Sequence, residues 1–465
     1  MNVPASQNLR SLPSVSKCLQ SARGKELQQR FGAGITTLAV RDAIESARIA
    51  IQSGSESSSP SIDAVMTAAA NELARIATPL GRRAINATGI LLHTGLGRAP
   101  LSRSALEALA GFGHYSLLEV ELESGERGRR ESRVEELLCV LTGCEAAVVV
   151  NNNAAATFMV LRSVARGKEV IVSRGQLIEI GGSFRLPDVM SESGCCLHEV
   201  GTTNRTHLRD YREAIGPHTG AIIHVHTSNY RIHGFTDTPG IAELVALGKE
   251  HGVPVIDDLG SGAFVPLAEF GLTDELLVKD SLACGSSLVC FSGDKLICGP
   301  QAGIICGTKE AVERLRRDTF FRMFRPDKMT LAALEATLIH FVNGDEYKRE
   351  IPLYQMLSQP LHALQATAEA LQSGLTGVGT VRTAVEDGQA YTGGGALPDE
   401  ALPSKVLRVS SSAGGSWAQA AAKKLRLGIP SVFCRIHEGS LLFDMRTLLP
   451  EDADLLAEAL KVALA

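Results

Sequence analysis

No apolar run in this 465-residue chain approaches the ~20 consecutive residues that a bilayer-spanning helix needs. That excludes an integral helical membrane protein. Residues Met1 to Leu19 also lack a continuous apolar core ahead of a small-residue cleavage site, so no secretion signal is expected. Tryptophan occurs once and aromatic residues make up only 5%. Excess positive charge is missing as well. The net charge of −5 argues against indiscriminate nucleic-acid binding, yet leaves room for a local basic surface that reads one structured RNA. The ten cysteines show no zinc spacing: Cys195 and Cys196 are adjacent, and Cys284, Cys290, Cys298 and Cys306 are spread through apolar runs, where a free thiol packs as a small hydrophobe. A reducing, cytoplasmic setting is expected. What is present is ordinary for a globular chain with a large core, 45% hydrophobic and 21% charged, long enough for two or three domains.

Residues 1–75 read as a small helical domain, with apolar residues at helical spacing over Val15–Phe31 and Thr36–Ile51, a polar linker at Gly54–Ser61, and a further helix over Ile62–Ala77. The segment carries Arg10, Lys17, Arg23, Lys25, Arg30, Arg41 and Arg48. From the charge pattern alone, a solvated helical face accounts for these residues more readily than a binding surface does. From Arg83 onward the character changes. Asn86–Gly89, His93–Pro100 and Glu121–Arg130 are polar, glycine-containing loops of the kind that line sites.

A regular alternation follows. Short apolar runs at Ala146–Val150, Glu169–Ser173, Leu197–Val200, Ala221–His226 and Val253–Asp258 alternate with helical segments such as Ala154–Ala165 and Thr238–Glu250. This pattern predicts an α/β fold with a mainly parallel sheet covered by helices on both faces, over residues 76–344. Functional residues then belong at the carboxyl ends of the strands. Residues 345–465 read as a smaller α/β domain, with a helix over Leu353–Leu375, strands near Lys405–Val409 and Leu441–Phe443, and Gly393–Gly395 as either a mobile loop or a close-approach turn.

The chemistry centres on Ser292–Pro300, a glycine-flanked loop between the apolar runs Ser287–Phe291 and Ala302–Gly307. Its lysine, Lys295, is poorly placed to be a surface charge. Desolvation disfavours an ammonium, so the pKa should fall and the amine become a usable nucleophile, as a Schiff-base lysine for pyridoxal phosphate requires. A nucleotide-binding loop of the Walker type is excluded, because no Gly-x-x-x-x-Gly precedes the lysine. Asp258 ends a strand just before a glycine-rich turn and is chosen over Asp257 to keep the cofactor's pyridine nitrogen protonated. Asn152 and Asn153, with the free N–H groups of the helix that follows, are candidates for the cofactor phosphate, together with Ser292. Asp294, beside the lysine, is a candidate for tuning its protonation. Arg322 and Arg325, three apart on a helical turn, could grip a tetrahedral anion.

The motifs Asn86–Gly89, His93–Pro100, Val150–Ala156, Ser173–Gly175, Glu179–Arg185, Val200–His207, Asp258–Gly262, Ser292–Lys295 and Gly299–Gly303 resemble, in kind and order, those of the bacterial selenocysteine synthase family, the L-seryl-tRNA(Sec) selenium transferases. The resemblance runs over residues 8–465. It implies a fold-type I pyridoxal-phosphate enzyme that turns L-seryl-tRNA(Sec) into L-selenocysteyl-tRNA(Sec) with selenophosphate. It further implies that Lys295 carries the cofactor, that Arg98, Arg322 and Arg325 hold the selenium donor, that the N-terminal domain grips the tRNA, and that the chain assembles as a homodecamer of five dimers. The group that protonates the departing serine hydroxyl stays open between His233 and a water. Cys298 stands where the family usually has glycine, Gly95 where asparagine is common and Val120 where an aromatic is common. Two other readings keep the fold: a lyase acting on a small amino acid or amino-sugar acid, which has no need of the N-terminal helices, and a non-catalytic tRNA-binding protein, which has no need of the lysine, aspartate and asparagine set.

Overall fold

The computed structural model describes residues 9–464 apart from Ser57, Leu80, Ser183, Asp274, Ala413 and Gly415. The chain divides into two compact units, Met1–Arg83 and Ala84–Ala465.

The first unit is helical: Val15–Gln20, Ala22–Phe31, Ala33–Gln52 and Ile62–Ala77. The periodicity over Val15–Phe31 predicts one helix, but the chain forms two. Ser21 is extended (φ −60°, ψ 158°); its hydroxyl accepts from Gly24 N at 3.0 Å and donates to Cys18 O at 2.7 Å, ending one helix and capping the next. Gly24 is required there, since a Cβ would lie 2.2 Å from Cys18 O. Cys18, Val40, Val65, Met66, Ala69 and Leu73 form the core of this unit.

The second unit holds two sheets and a two-stranded ribbon among the described residues. Its strands, in chain order, are β1 (Ala84–Ala87), β2 (Ala146–Val150), β3 (Glu169–Ser173), β4 (Glu179–Ile180), β5 (Phe184–Arg185), β6 (Cys196–Val200), β7 (Thr219–Val225), β8 (Val255–Gly260), β9 (Leu288–Ser292), β10 (Gly303–Gly307), β11 (Val381–Gly393), β12 (Ala396–Ser411), β13 (Ser431–His437) and β14 (Ser440–Asp444). The seven-stranded sheet has the order β2-β10-β9-β8-β7-β3-β6. It is parallel except for β10, which runs antiparallel to both β9 and β2. Helices cover both faces, so strands β2, β9 and β10 are buried at every residue and read as unbroken apolar runs rather than alternating ones. Each fully buried valine or isoleucine contributes about 1.5–3 kcal/mol.

The five-stranded sheet has the order β1-β13-β14-β12-β11, with β1 parallel to β13 and the other pairs antiparallel. The segment just after Arg83 thus joins a sheet built otherwise from the C-terminal third. The helix expected over Leu353–Leu375 is two, Pro352–Ser358 and Leu361–Gly374, because Pro360 cannot continue the first. The strand expected near Lys405–Val409 is the end of a much longer hairpin, β11–β12. Its tip, Gly393–Gly395, is a close-approach turn. All three glycines have positive φ (69°, 64° and 75°), and a Cβ on Gly393 would lie 2.3 Å from Ile90 Cγ2.

Candidate active site

Strands β7, β8 and β9 are parallel neighbours, and their carboxyl ends open into a cavity of about 280 Å³. Arg98, Asn152, Asn153, Asp258, Ser292, Asp294 and Lys295 all line it. Seven of the nine residues singled out from the sequence are therefore brought together; neither Arg322 nor Arg325 is among the lining residues.

Lys295 is 6% exposed, and its Nζ donates to Gly395 O at 3.2 Å, at the tip of the β11–β12 hairpin. Burial depresses its pKa, and the Arg98 guanidinium adds to that; Asp258, Asp294 and Glu275 pull the other way. The loop that carries it is tight. Gly293 N donates to Ala302 O at 2.8 Å and Gly299 N to Gly293 O at 2.9 Å, so β9 leads into the lysine and back to β10 with little slack. Cys298 occupies a left-handed backbone (φ 58°), the conformation glycine adopts without strain, and its thiol donates to Pro100 O at 3.1 Å. Burial pushes that thiol up to about 12, so it stays protonated and inert beside the lysine loop.

Asp258 is 5% exposed. Its Oδ1 accepts from Asn153 Nδ2 at 2.9 Å and from Gly260 N at 3.1 Å, and its Oδ2 accepts from Thr157 Oγ1 at 2.8 Å. Burial raises its pKa, while these three donors and the Lys295 charge lower it. A desolvated carboxylate of this kind favours a cationic partner in the cavity. Asp257 faces the other way, as strand alternation requires. Its carboxylate meets His224 Nδ1 at 2.7 Å and Ser281 Oγ at 2.5 Å, a saturated structural cluster.

The two asparagines do different work. Asn152 caps the helix Asn153–Ala165, accepting from Ala155 N at 2.9 Å, which leaves its amide N–H₂ and the helix N-terminus for an anion. Asn153 spends its amide N–H₂ on Asp258, and its Oδ1 is buried without a partner. Buried orphan atoms cluster here: His226 Nδ1, which also lines the cavity, and Asn229 Oδ1, whose residue stands against Gly395, belong to the same set. Each unpaired atom costs about 1–3 kcal/mol unless something in the cavity meets it. A buried amine, a buried carboxylate, a helix N-terminus open to the cavity and unmet hydrogen-bonding groups are the kinds of group that fit pyridoxal phosphate in aldehyde, ring and phosphate.

Residues 84–449 match the profile of the family described as L-seryl-tRNA selenium transferase, and residues 9–48 that of the selenocysteine synthase N terminus. Among curated relatives, an L-seryl-tRNA(Sec) selenium transferase of Carboxydothermus hydrogenoformans is 44% identical over 96% of both chains. One from Desulfomicrobium baculatum is 43% identical over 98% of this chain and 99% of its own. This chain belongs to the L-seryl-tRNA selenium transferase family. Among solved structures, a D-glucosaminate-6-phosphate ammonia-lyase aligns with a TM-score of 0.56 over 85% of this chain and 98% of its own at 18% identity, a likeness of fold.

Of the remaining expected residues, Arg98 lines the cavity and Arg322, Arg325 and His233 do not. Arg98, itself in a left-handed turn (φ 63°), donates to Asp294 Oδ2 at 2.8 Å. The helical turn expected to hold both Arg322 and Arg325 ends at Met323, so Arg325 lies beyond it. That segment is tied to the cavity's edge, since Asn151 N donates to Phe324 O at 2.9 Å. His233 is exposed, bonded through Nε2 to Asp399 Oδ2 at 2.6 Å, and outside the cavity lining. Sequence reasoning places His226 at a strand end, where functional residues belong, but misses Thr157 and the Gly395 carbonyl. Thr157 was within reach, being four residues after Asn153 on one helical face. The Gly395 carbonyl, a hundred residues from the lysine, leaves no local signal.

Proposed function

We propose that this chain converts L-seryl-tRNA(Sec) to L-selenocysteyl-tRNA(Sec) with selenophosphate, as a cytoplasmic fold-type I enzyme whose cofactor is pyridoxal 5'-phosphate bound at Lys295. The observation that carries this reading is the buried Lys295 amine sharing one cavity with Asp258, Asn152 and Arg98, in a chain matched nearly end to end by relatives of that name.

Lys295 would hold the cofactor aldehyde, Asp258 its ring nitrogen, and Asn152, Ser292 and the helix N-terminus its phosphate, with Asn153 fixing Asp258 in place. When bound, the cofactor draws electrons away from the substrate Cα. Lys295, once displaced by the substrate amine, is positioned to take the Cα proton and later return it. Burial, with the Arg98 charge, depresses its pKa, which favours the neutral amine that such a step needs. Arg98, held by Asp294, offers a guanidinium inside the cavity for the phosphate of the selenium donor, and Arg322 and Arg325 supply the remaining charge. Among the described residues Arg322 has no carboxylate partner, and Arg325 approaches only Glu119, at 4.0 Å. Glu119 is already clasped by Arg127 and Arg130, which hold its carboxyl down at about 2.

The N-terminal residues 1–75 are assigned to the tRNA. Arg10, Lys17, Lys25, Arg30 and Arg41 carry no ion pair among the described residues, which leaves their charge available for phosphates. Assembly as a homodecamer of five dimers completes the proposal. No described helix is long and apolar enough to cross a membrane.

The test is an assay of purified protein with selenophosphate, offering L-seryl-tRNA(Sec) and free L-serine separately. Conversion of the charged tRNA alone is the expected result. Turnover of free serine alone would replace the proposal with a small-molecule lyase.

A further inference from the structure

His226 follows β7 and lines the cavity beside Asp258. Its backbone N donates to Asp258 O at 2.9 Å, and its own carbonyl accepts from Ser228 N at 2.8 Å, so the main chain that carries the imidazole is fixed to the strand that carries the aspartate. The imidazole is not settled in the same way. Its Nδ1 is buried and has no partner. His93, outside the cavity lining, also keeps an unmet Nδ1, but two other histidines of this unit show an imidazole held as structure. His224 is bonded to Asp257, and His340 lies between Glu346 and Ser104, at 2.7 Å and 2.5 Å. His226 alone of these four faces the cavity with a nitrogen unmet.

The surroundings favour the neutral imidazole. Burial lowers its pKa most and the His224 charge next; Asp257 opposes them, and Arg231 and Lys295 add to the lowering. A neutral imidazole keeps one N–H to donate and one lone pair to accept. It can therefore fix an oxygen, but it is a poor source of a whole proton at neutral pH.

Pyridoxal phosphate has four polar features: aldehyde, ring nitrogen, phosphate and phenolic oxygen. Lys295, Asp258 and the Asn152 helix end with Ser292 serve the first three. The fourth is left, and one orphan imidazole stands beside Asp258. We infer that His226 is a positioning residue that hydrogen-bonds the phenolic oxygen of the bound cofactor, holding the ring between Asp258 and Lys295. This deepens the proposed function and rests on its cofactor reading.

An N–H donated to the phenolate stabilises the anion and makes the lysine-linked nitrogen less basic. Removing it raises the pH at which the visible band of the bound cofactor loses its proton. The test uses the full-length protein loaded with pyridoxal phosphate, and compares wild type with His226→Ala, His226→Phe and His226→Asn. The alanine and phenylalanine variants are expected to shift the band maximum, to raise its pH midpoint, and to retain the cofactor about tenfold less tightly on dialysis. His226→Asn, which keeps an amide donor, is expected to recover part of each change. Phenylalanine fills the space without a nitrogen, so a packing role alone would leave its midpoint at the wild-type value, and that result overturns the inference even where the alanine variant folds poorly. A wild-type protein with no visible band would instead overturn the cofactor reading itself.

Discussion

Arg98 and Asp294 form an ion pair at 2.8 Å that joins the His93–Pro100 turn to the lysine loop across nearly two hundred residues. The two charges act on Lys295 with opposite sign. Arg98 lowers the pKa of the amine and Asp294 raises it. Arg98→Gln should therefore raise the pH at which cofactor-free protein captures pyridoxal phosphate half-maximally, and Asp294→Asn should lower it. Rates of visible-band formation across pH 6–10 would decide this. Shifts of the same sign in both variants would mean that the pair serves only as a latch between the two loops.

The adjacent aspartates of β8 should part company on substitution. Asp258→Asn keeps a polar group against Asn153 and Thr157 but removes the charge facing the cavity. A charge-assisted hydrogen bond of about 3 kcal/mol corresponds to roughly a 10²-fold loss of turnover. Asp257→Asn instead disturbs the buried contacts with His224 and Ser281. It should lower the stability by about 2–4 kcal/mol while the cofactor band of the folded fraction stays in place. Denaturant titration and absorbance on the same samples separate the two outcomes.

These neighbours also show what could be read in advance. The choice of Asp258 needed only its place before a glycine turn, and the sheet's buried strands announced themselves as short apolar runs because both faces are covered. The β11–β12 hairpin announced only its end near Lys405–Val409 and its glycine tip. Its strands contain Asp387, Gly388, Pro398, Asp399, Glu400 and Pro403, residues of low strand propensity that extend here because long antiparallel pairing holds them. Its tip supplies the Gly395 carbonyl to Lys295 and packs Gly393 and Gly394 on Ile90 and Leu92. A site assembled from the ends of three strands and a distant hairpin is legible only where a residue's own neighbours betray it. Lys295 met that condition through its apolar flanks and His226 through its place at a strand end; Glu275 did not.

Glu275 gives a pH signature. Its carboxyl is pushed up to about 7 by burial, against a hydrogen bond from Ser261 and the Lys295 charge, and its Oε2 has no partner. Because the folded pKa is raised, the folded chain prefers the protonated acid. The stability this contributes is fully present below the unfolded carboxyl's range near 4.5 and is lost as pH rises through about 7. Glu275→Gln removes that dependence. The stability of the variant relative to wild type should therefore rise by about 1 kcal/mol between pH 6 and pH 8. Urea titrations at both pH values measure it; a constant difference would show that Glu275 stays ionised throughout.

Arg322 and Arg325 test the division of labour in the proposed reaction. The segment holding them is pinned to Asn151 through Phe324, one residue from the helix cap that faces the cavity, yet neither guanidinium lines the space around Lys295. Groups so placed can hold the selenium donor without taking part in proton removal at the serine Cα. Replacing both with alanine removes two charge-assisted contacts of about 2 kcal/mol each, so selenium incorporation should fall on the order of 10³-fold. Loss of the serine hydroxyl, followed with radiolabelled seryl-tRNA in the absence of donor, should stay within a few-fold of wild type. Lys295→Ala should abolish both steps. If the double arginine variant lost dehydration as completely as incorporation, the arginines would have to act on the seryl substrate, and the cation holding the donor would then be Arg98 alone.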